Sequence, residues 1–205
     1  MELVAGKVRT TRKIMAQPGA QEAFLRSRAD IVVYGGAAGG GKSWALLMEP
    51  LRHVDNGEFG AVIFRRTYPQ ITNEGGLWDT SEKIYPHCRA TAKLSTLEWL
   101  FPAGCRLKFA HMQYEKDRFE WDGAQIAFLG FDQLEHFTWR QFFYMLSRNR
   151  SICGVKPYIR ATCNPDPDHW LRTFMRWWIN DSTGRAIPSR AGVIRWWAMV
   201  GDQVE

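Results

Sequence analysis

Four short, mostly hydrophobic runs recur along the chain without a strict alternation of hydrophobic and polar residues. They cover residues 31–34, 61–64, 126–131 and 158–162. Runs of this length, rich in β-branched and aromatic residues, predict strands that are buried on both faces of a sheet. Segments with helical spacing lie between or beside them, at residues 21–25, 42–54, 138–150 and 169–179. Strands that alternate with helices predict an α/β fold with a mostly parallel central sheet and helices on both faces.

A hairpin and a last strand complete the predicted elements. Two alternating runs, at residues 98–100 and 106–110, flank the turn residues Pro102 and Gly104, which is typical of a hairpin. Residues 193–199 form the last predicted strand. We expect residues 1–17 to form a peripheral arm, residues 18–180 the core, and residues 181–205 an edge or linker.

The charge of the chain favours an anionic partner. The 205 residues carry a net charge of +6, and the sequence pI is about 9.3. From Trp139 to Arg195, ten Lys or Arg residues stand against three acidic residues. Such an excess is common on surfaces that bind nucleic acid, although a solvated basic face produces it as well.

The cysteines and the hydrophobic segments bear on the compartment. The four cysteines show neither CxxC spacing nor the density of a disulfide scaffold, so we interpret them as thiols in a reducing compartment and expect no zinc site. No stretch reaches the roughly 18 apolar residues of a membrane span, and the N-terminus has no signal-peptide core. We therefore expect a cytosolic protein that does not cross a membrane.

A glycine-rich loop follows the first predicted strand and matches the pattern GxxxxGK[ST]. Glycines allow backbone N–H groups to turn towards an anion. Lys42 can reach the β- and γ-phosphates of a nucleotide, and the Ser43 hydroxyl can hold Mg²⁺. Because the match lies between a strand and a helix, we predict an ATP and Mg²⁺ site here; a merely flexible loop is the alternative. The loop residues are Gly36, Ala37, Ala38, Gly39, Gly40, Gly41, Lys42 and Ser43.

Hydrolysis of ATP requires a carboxylate near the metal and a group that orients the attacking water. Asp132 ends a predicted buried strand and fits the first role. Gln133 follows it directly, where a Glu commonly stands, and Glu135 is the nearest carboxylate. Either residue can orient the water. Glu135 can also be a residue that complements a helix N-terminus.

Four blocks of sequence resemble the ATPase domain of a tailed-phage terminase large subunit, the motor that packages DNA into a procapsid. The resemblance implies a P-loop NTPase of the ASCE type and covers residues 17 to about 179. The combination is far more selective than the glycine-rich loop alone. The blocks are QEAFL (21–25), YGGAAGGGKS (34–43), GFDQLEHFT (130–138), and CNP followed by HW (163–165 and 169–170).

The resemblance implies roles for further residues. Gln21 resembles a glutamine that senses the adenine base, although Gln17 is a competing candidate and a plain surface glutamine is a third possibility. Asp132 resembles the magnesium aspartate. Thr162 and Asn164 resemble a coupling motif that senses the γ-phosphate, and Asn164 can also be a turn residue before a proline.

Two features depart from the family pattern. Many terminases place a trans-acting Arg before a Gly ahead of the magnesium strand, whereas this chain has Asp122 and Gly123, and Arg118 can substitute. The chain also stops at Glu205, too early for the nuclease domain of such subunits, so we expect no DNA cleavage. Arg65 and Arg66 can contact phosphate or DNA, or form structural salt bridges.

We therefore predict an ATP-driven translocase of double-stranded DNA that grips backbone phosphates. The resemblance implies a homo-oligomeric ring, the portal protein and the terminase small subunit as partners, and the cytoplasm of a bacterial host. One alternative is a nucleotide-binding assembly switch with weak or no hydrolysis. A helicase or another P-loop enzyme such as a small-molecule kinase is a further alternative, for which we find no accompanying motifs.

Overall fold

A seven-stranded sheet forms the centre of the computed structural model, which describes residues 14–164, 166–200 and 203–204. Its strands are β1 (Ile31–Gly35), β2 (Gly60–Arg65), β3 (Thr91–Lys93), β4 (Glu98–Leu100), β5 (Arg106–His111), β6 (Phe128–Phe131) and β7 (Tyr158–Cys163). The α-helices are α1 (Ala20–Arg26), α2 (Lys42–Met48), α3 (Tyr68–Thr72), α4 (Leu77–Glu82), α5 (Trp139–Leu146) and α6 (Trp170–Phe174). Short 3₁₀ helices cover Glu49–His53, Tyr85–Cys88, Leu94–Thr96, Glu115–Trp121, Leu134–His136, Arg176–Trp178 and Pro188–Arg190.

The strand order is β1-β7-β6-β2-β5-β4-β3. The first five strands in this order pair in parallel, whereas β4 and β3 pair antiparallel to their neighbours. The α/β class, the parallel sheet and the hairpin predicted from the sequence are therefore confirmed. Because β7 lies between β1 and β6, the loops after these three strands meet at one edge of the sheet, where α/β proteins bind ligands.

Two hydrophobic cores cover the two faces of the sheet. Successive side chains of a strand point to opposite faces, and accordingly Ile63 packs in the first core and Phe64 in the second. Helices α1, α2, α3 and α4 contribute to the first core, and α5 and α6 contribute to the second. The helix residues concerned are Phe24, Ala45, Leu46, Leu47, Ile71, Leu77 and Trp78 in the first core, and Phe142, Met145 and Leu171 in the second.

Gly130 of β6 lies against the Ile63 side chain of β2. The two residues pair, and a Cβ atom added to Gly130 would lie 2.8 Å from Ile63 Cγ1. That distance is too short for two carbon atoms, so only glycine fits here without a shift of its neighbours. Gly130 lies two residues before Asp132.

Several predicted boundaries differ from the structure. The helix predicted at residues 42–54 changes to a 3₁₀ helix at Glu49, next to Pro50. The helix predicted at residues 138–150 ends at Leu146, and its N-terminus has a capping box formed by Thr138 and Gln141. The segment predicted as a helix at residues 169–179 is α6 followed by a 3₁₀ turn.

The strand predicted at residues 193–199 is wrong. Residues 193–198 have no regular structure, and Trp196 is 92% exposed. Only Met199 belongs to a strand, in the two-residue pair β8 (Met199–Val200) and β9 (Gln203–Val204). A hydrophobic run becomes a strand only where a partner strand accepts its hydrogen bonds, and within the described part of the chain residues 193–198 pair with none.

Residues 1–13 of the predicted arm and residues 201, 202 and 205 of the predicted linker lie outside the described residues. Residue 165 of the predicted core does as well. The four cysteines are all free thiols. Within the described part of the chain, no helix has the length and apolar character needed to cross a bilayer.

Candidate nucleotide site

The glycine-rich loop joins β1 to α2 and leaves open space beside Gly36 and Gly39. Gly39 and Gly41 have φ values of 83° and 67°, which place them in the left-handed region that favours glycine. A Cβ atom added to Gly36 or Gly39 would have no neighbour within 4 Å. The loop begins with a hydrogen bond of 3.2 Å from Gly36 N to Cys163 O of β7. It is therefore an anchored loop with room for a ligand.

The Lys42 ammonium group lies within this loop. Its Nζ atom donates hydrogen bonds to the carbonyl oxygens of Gly36 at 2.8 Å and Ala37 at 2.7 Å. These neutral acceptors can be exchanged for phosphate oxygens, which make stronger, charge-assisted hydrogen bonds. The open loop and its ammonium group thus fit a polyphosphate.

Asp132 is the centre of the site. It follows β6, and its side chain is fully buried. Its Oδ1 atom accepts hydrogen bonds from Ser43 Oγ at 2.9 Å and Thr162 Oγ1 at 2.6 Å. The structure thus brings together a predicted magnesium ligand from α2, one from β6 and a coupling residue from β7. A hydroxyl and a carboxylate oxygen are the ligands that Mg²⁺ prefers, so Ser43 and Asp132 fit this ion.

Arg65 contacts the other oxygen of Asp132. Its Nε atom lies 2.6 Å from Asp132 Oδ2, and its Nη1 atom donates a hydrogen bond to Gln133 Oε1. Among the described residues, neither Nε nor Oδ2 takes part in an aligned hydrogen bond, so the first contact is an ion pair without good hydrogen-bond geometry. Arg66 points elsewhere and donates to Gln141 Oε1 at 2.7 Å. Of the roles left open from the sequence, the structure places Arg65 in an ion pair.

Gln133 has a strained backbone. Its φ of 62° is one of three positive values among the described non-glycine residues, and such a conformation costs about 1–3 kcal/mol. Its backbone N–H donates to Thr162 Oγ1 at 3.0 Å. Since Arg65 occupies its side-chain oxygen, Gln133 is engaged at both backbone and side chain.

Glu135 and Asn164 form a second contact between the loops after β6 and β7. The Asn164 side-chain amide donates to Glu135 Oε1 at 2.9 Å. Glu135 Oε2 is buried and has no hydrogen-bond partner within the described part of the chain. A buried carboxylate oxygen without a partner is costly, and such an oxygen can accept a hydrogen bond from a water molecule.

Cys163 lies next to these residues and is buried. The pKa of its thiol is raised to about 12, chiefly by burial and then by the Glu135 charge, while the Lys42 charge acts in the opposite direction. Trp170 Nε1 donates to Phe137 O at 2.9 Å. This bond joins the sequence block at residues 169–170 to the block at residues 130–138.

Gln21 is hydrogen-bonded to the backbone of the glycine-rich loop. It is buried, and its Nε2 atom donates to Gly41 O at 2.9 Å, while its Oε1 atom accepts from Gln17 N at 2.6 Å. A cavity of about 460 Å³ beside it is lined in part by Gln17 and Trp44. The side chain of Gln21 therefore has a structural partner on each polar atom, and its assignment to the adenine base stays a prediction.

Arg118 lies apart from the other predicted site residues. It is on the 3₁₀ helix Glu115–Trp121, where its Nη1 atom donates to the Glu115 carbonyl oxygen and pairs with the Glu115 carboxylate. Its guanidinium also lies over the Phe119 ring, 4.4 Å from the centroid. Within the described residues it has no hydrogen bond or ion pair with the loop at Gly36–Ser43 or with Asp132. A trans-acting role for Arg118 stays a prediction.

The contact between Arg65 and Asp132 was not predicted from the sequence. The signal was present, because Arg65 ends a strand that is parallel to β6, and the carboxyl ends of parallel strands meet at the same edge. What was missing was the order of the strands, which makes β2 a neighbour of β6.

The chain is similar to a known protein family and to solved structures. The model of a family described as terminase large subunit, T4likevirus-type, N-terminal, matches residues 33–203. No curated protein matches the chain.

Solved structures with the same fold include three packaging proteins. The large terminase from a thermophilic bacteriophage has a TM-score of 0.58 and 15% identity, over 76% of this chain and only 42% of that terminase. The large terminase ATPase domain of Thermus phage P74-26 has a TM-score of 0.57 and 14% identity, over 86% of this chain and 76% of that domain. The N-terminal domain of the DNA packaging ATPase from bacteriophage phi29 has a TM-score of 0.55 and 13% identity, over 91% of this chain and 93% of that domain. The chain thus spans less than half of the thermophilic phage terminase.

Proposed function

The chain belongs to the family described as terminase large subunit, T4likevirus-type, N-terminal. On this premise we propose that it hydrolyses ATP to move double-stranded DNA. The observation that carries the proposal is the convergence on Asp132 of Ser43 from α2 and Thr162 from β7. It joins the loop that would bind phosphate to the strand that would couple its loss to movement.

Each residue has a role in this proposal. Lys42 binds the β- and γ-phosphates, and the backbone of the glycine-rich loop surrounds them. Ser43 and Asp132 would hold Mg²⁺, which would supply positive charge to the reacting phosphate. Thr162 keeps Asp132 in place through its hydroxyl.

We assign the attacking water to Glu135 and not to Gln133. Glu135 Oε2 is buried without a partner among the described residues, whereas the side-chain oxygen of Gln133 already accepts from Arg65. Asn164 holds the other Glu135 oxygen and so fixes the carboxylate. Asn164 thus contacts the carboxylate that we assign to the water attacking the γ-phosphate, which suits the coupling role that the sequence resemblance implies for Asn164.

DNA, the portal protein and the terminase small subunit are the proposed partners, in a homo-oligomeric ring within the cytoplasm of a bacterial host. The terminase family supports these partners, and the net charge of +6 supports a grip on backbone phosphates. Such a grip is insensitive to DNA sequence and weakens as salt increases.

The experiment measures single-turnover ATP hydrolysis and DNA affinity. We expect Glu135→Gln to slow hydrolysis by roughly 100-fold or more at unchanged ATP affinity, and Glu120→Gln, at an exposed glutamate, to leave the rate unchanged. DNA affinity of the wild-type chain should fall steeply across a salt series. A DNA affinity that does not depend on salt contradicts the translocase.

A nucleotide-binding assembly switch is the second candidate. The contacts that Arg65 makes with Asp132 and Gln133 favour it. Such contacts suit a site that binds nucleotide but hydrolyses it poorly. If the wild type binds ATP with Mg²⁺, never turns it over with DNA present, and Glu135→Gln changes nothing, the switch is the better description.

A further inference from the structure

Asp132 is a buried carboxylate with a single cationic partner among the described residues. Its side chain is 0% exposed, and that of Arg65 is 14% exposed. The hydroxyl groups of Ser43 and Thr162 donate hydrogen bonds to it but bring no charge. Because a buried charge without a counter-ion is strongly unfavourable, Arg65 is the group that balances the charge of Asp132 among the described residues.

The geometry of the ion pair allows Arg65 to leave Asp132. Arg65 Nε and Asp132 Oδ2 are close but make no aligned hydrogen bond within the described part of the chain, so little directional bonding holds them together. The other arm of the guanidinium is bonded to Gln133 Oε1. Gln133 is neutral, so it can hold the Arg65 guanidinium by a hydrogen bond without neutralising its charge.

We propose that Arg65 is a displaceable counter-ion of Asp132: it neutralises the carboxylate in the empty site and withdraws towards Gln133 when Ser43 and Asp132 take up a divalent cation. The inference rests on the proposed nucleotide function. Its basis is that a divalent cation at Asp132 Oδ1, beside Ser43, would repel the guanidinium at Oδ2 of the same buried carboxylate. Arg65 is thus a positioning residue that sets the affinity of the metal site.

The test is the affinity of the 205-residue chain for Mn²⁺ in the presence of saturating ADP, measured by electron paramagnetic resonance. We expect Arg65→Gln to bind Mn²⁺ roughly tenfold tighter, since the competing charge is gone, and to unfold at a lower temperature without metal. Arg66→Gln is the matched control, because Arg66 directly follows the same strand but bonds to Gln141. Its Mn²⁺ affinity should equal that of the wild type.

A second variant keeps the proposal testable should Arg65→Gln fail to fold. Gln133→Ala removes the alternative holder of the guanidinium, so we expect it to bind Mn²⁺ more weakly than the wild type. Unchanged or weaker Mn²⁺ binding by a folded Arg65→Gln, or unchanged or tighter binding by Gln133→Ala, overturns the proposal. If the wild type binds no Mn²⁺ with ADP, the proposed nucleotide function fails together with it.

Discussion

The Asn164 side-chain amide donates a hydrogen bond to the Glu135 carboxylate at 2.9 Å, and this contact joins the loops after two neighbouring strands. The remaining Glu135 oxygen is buried and, within the described residues, free to accept from a water molecule. The orientation of that oxygen therefore depends on Asn164.

Asn164→Ala should slow ATP hydrolysis while leaving ATP affinity nearly unchanged. Without the amide, Glu135 loses the hydrogen bond that fixes it, and the carboxylate can rotate away from the water. We expect a reduction of roughly tenfold in the single-turnover rate, corresponding to one hydrogen bond to a charged group. Asn180→Ala, at an asparagine that bonds to Ser182 and Thr183, is the control. An Asn164→Ala rate equal to that of the wild type removes Asn164 from the mechanism.

Thr162→Val should destabilise the protein more than Thr162→Ser. Valine has nearly the shape of threonine but lacks the hydroxyl that donates to Asp132 and accepts from Gln133 N–H. Leaving these buried groups unpaired costs about 1–3 kcal/mol, whereas serine loses only one methyl group, about 0.8 kcal/mol. Urea unfolding measures both free energies. Equal values for the two variants would mean that the hydroxyl contributes no more than the methyl group.

Gln21→Ala should weaken binding of ATP and of tripolyphosphate by the same factor. The Gln21 amide holds the Gly41 carbonyl, so its loss disturbs the loop that binds phosphate, whatever base is attached. A net hydrogen bond of about 1 kcal/mol corresponds to roughly fivefold in affinity, which calorimetry resolves. A loss confined to ATP supports adenine recognition by Gln21 instead. Gln17→Ala, tested beside it, reports whether the neighbouring glutamine reads the base.

His53 should make stability depend on pH below about 6.5. Burial and then the Arg52 charge lower the pKa of His53 in the folded state, and its ring packs 4.9 Å from that of Phe59. The unfolded chain then binds more protons as pH falls through the interval between the two pKa values, so stability decreases there. His169, whose pKa is also lowered by burial, contributes in the same direction.

The measurement compares the free energy of unfolding at about pH 7.5 and about pH 5.5 for the wild type and His53→Gln. Glutamine loses the ring contacts at both values, so the difference between the two pH values is the quantity that matters. It should be smaller in the variant. An equal difference in both proteins assigns the pH dependence to other groups.

The sequence was sufficient for the elements that carry a local signal. The strand before Gly36 and the helix after it were predicted because a hydrophobic run, a glycine loop and helical spacing lie next to one another. Asp132 was assigned to the metal because it ends a buried strand. These signals are local, and the structure has β1, α2 and β6 at those positions.

Long-range contacts could not be predicted in the same way. The ion pair between Arg65 and Asp132 depends on β2 lying beside β6, and no local pattern gives that order. The hydrophobic run at residues 193–199 carried the signal of a strand, but its residues 193–198 have no partner strand among the described residues. The short helices α3 and α4, at Tyr68–Thr72 and Leu77–Glu82, were not predicted because five or six residues span too few turns for a clear period.

The missing side chain at Gly130 has a consequence for how this site can vary. A methyl group there would lie 2.8 Å from Ile63 Cγ1, so either the Ile63 side chain or the two strands would have to shift. Because Asp132 follows β6 and Arg65 ends β2, a shift of the strands would change the distance between Arg65 and Asp132. An alanine at Gly130 would in that case alter the proposed metal site without contacting it.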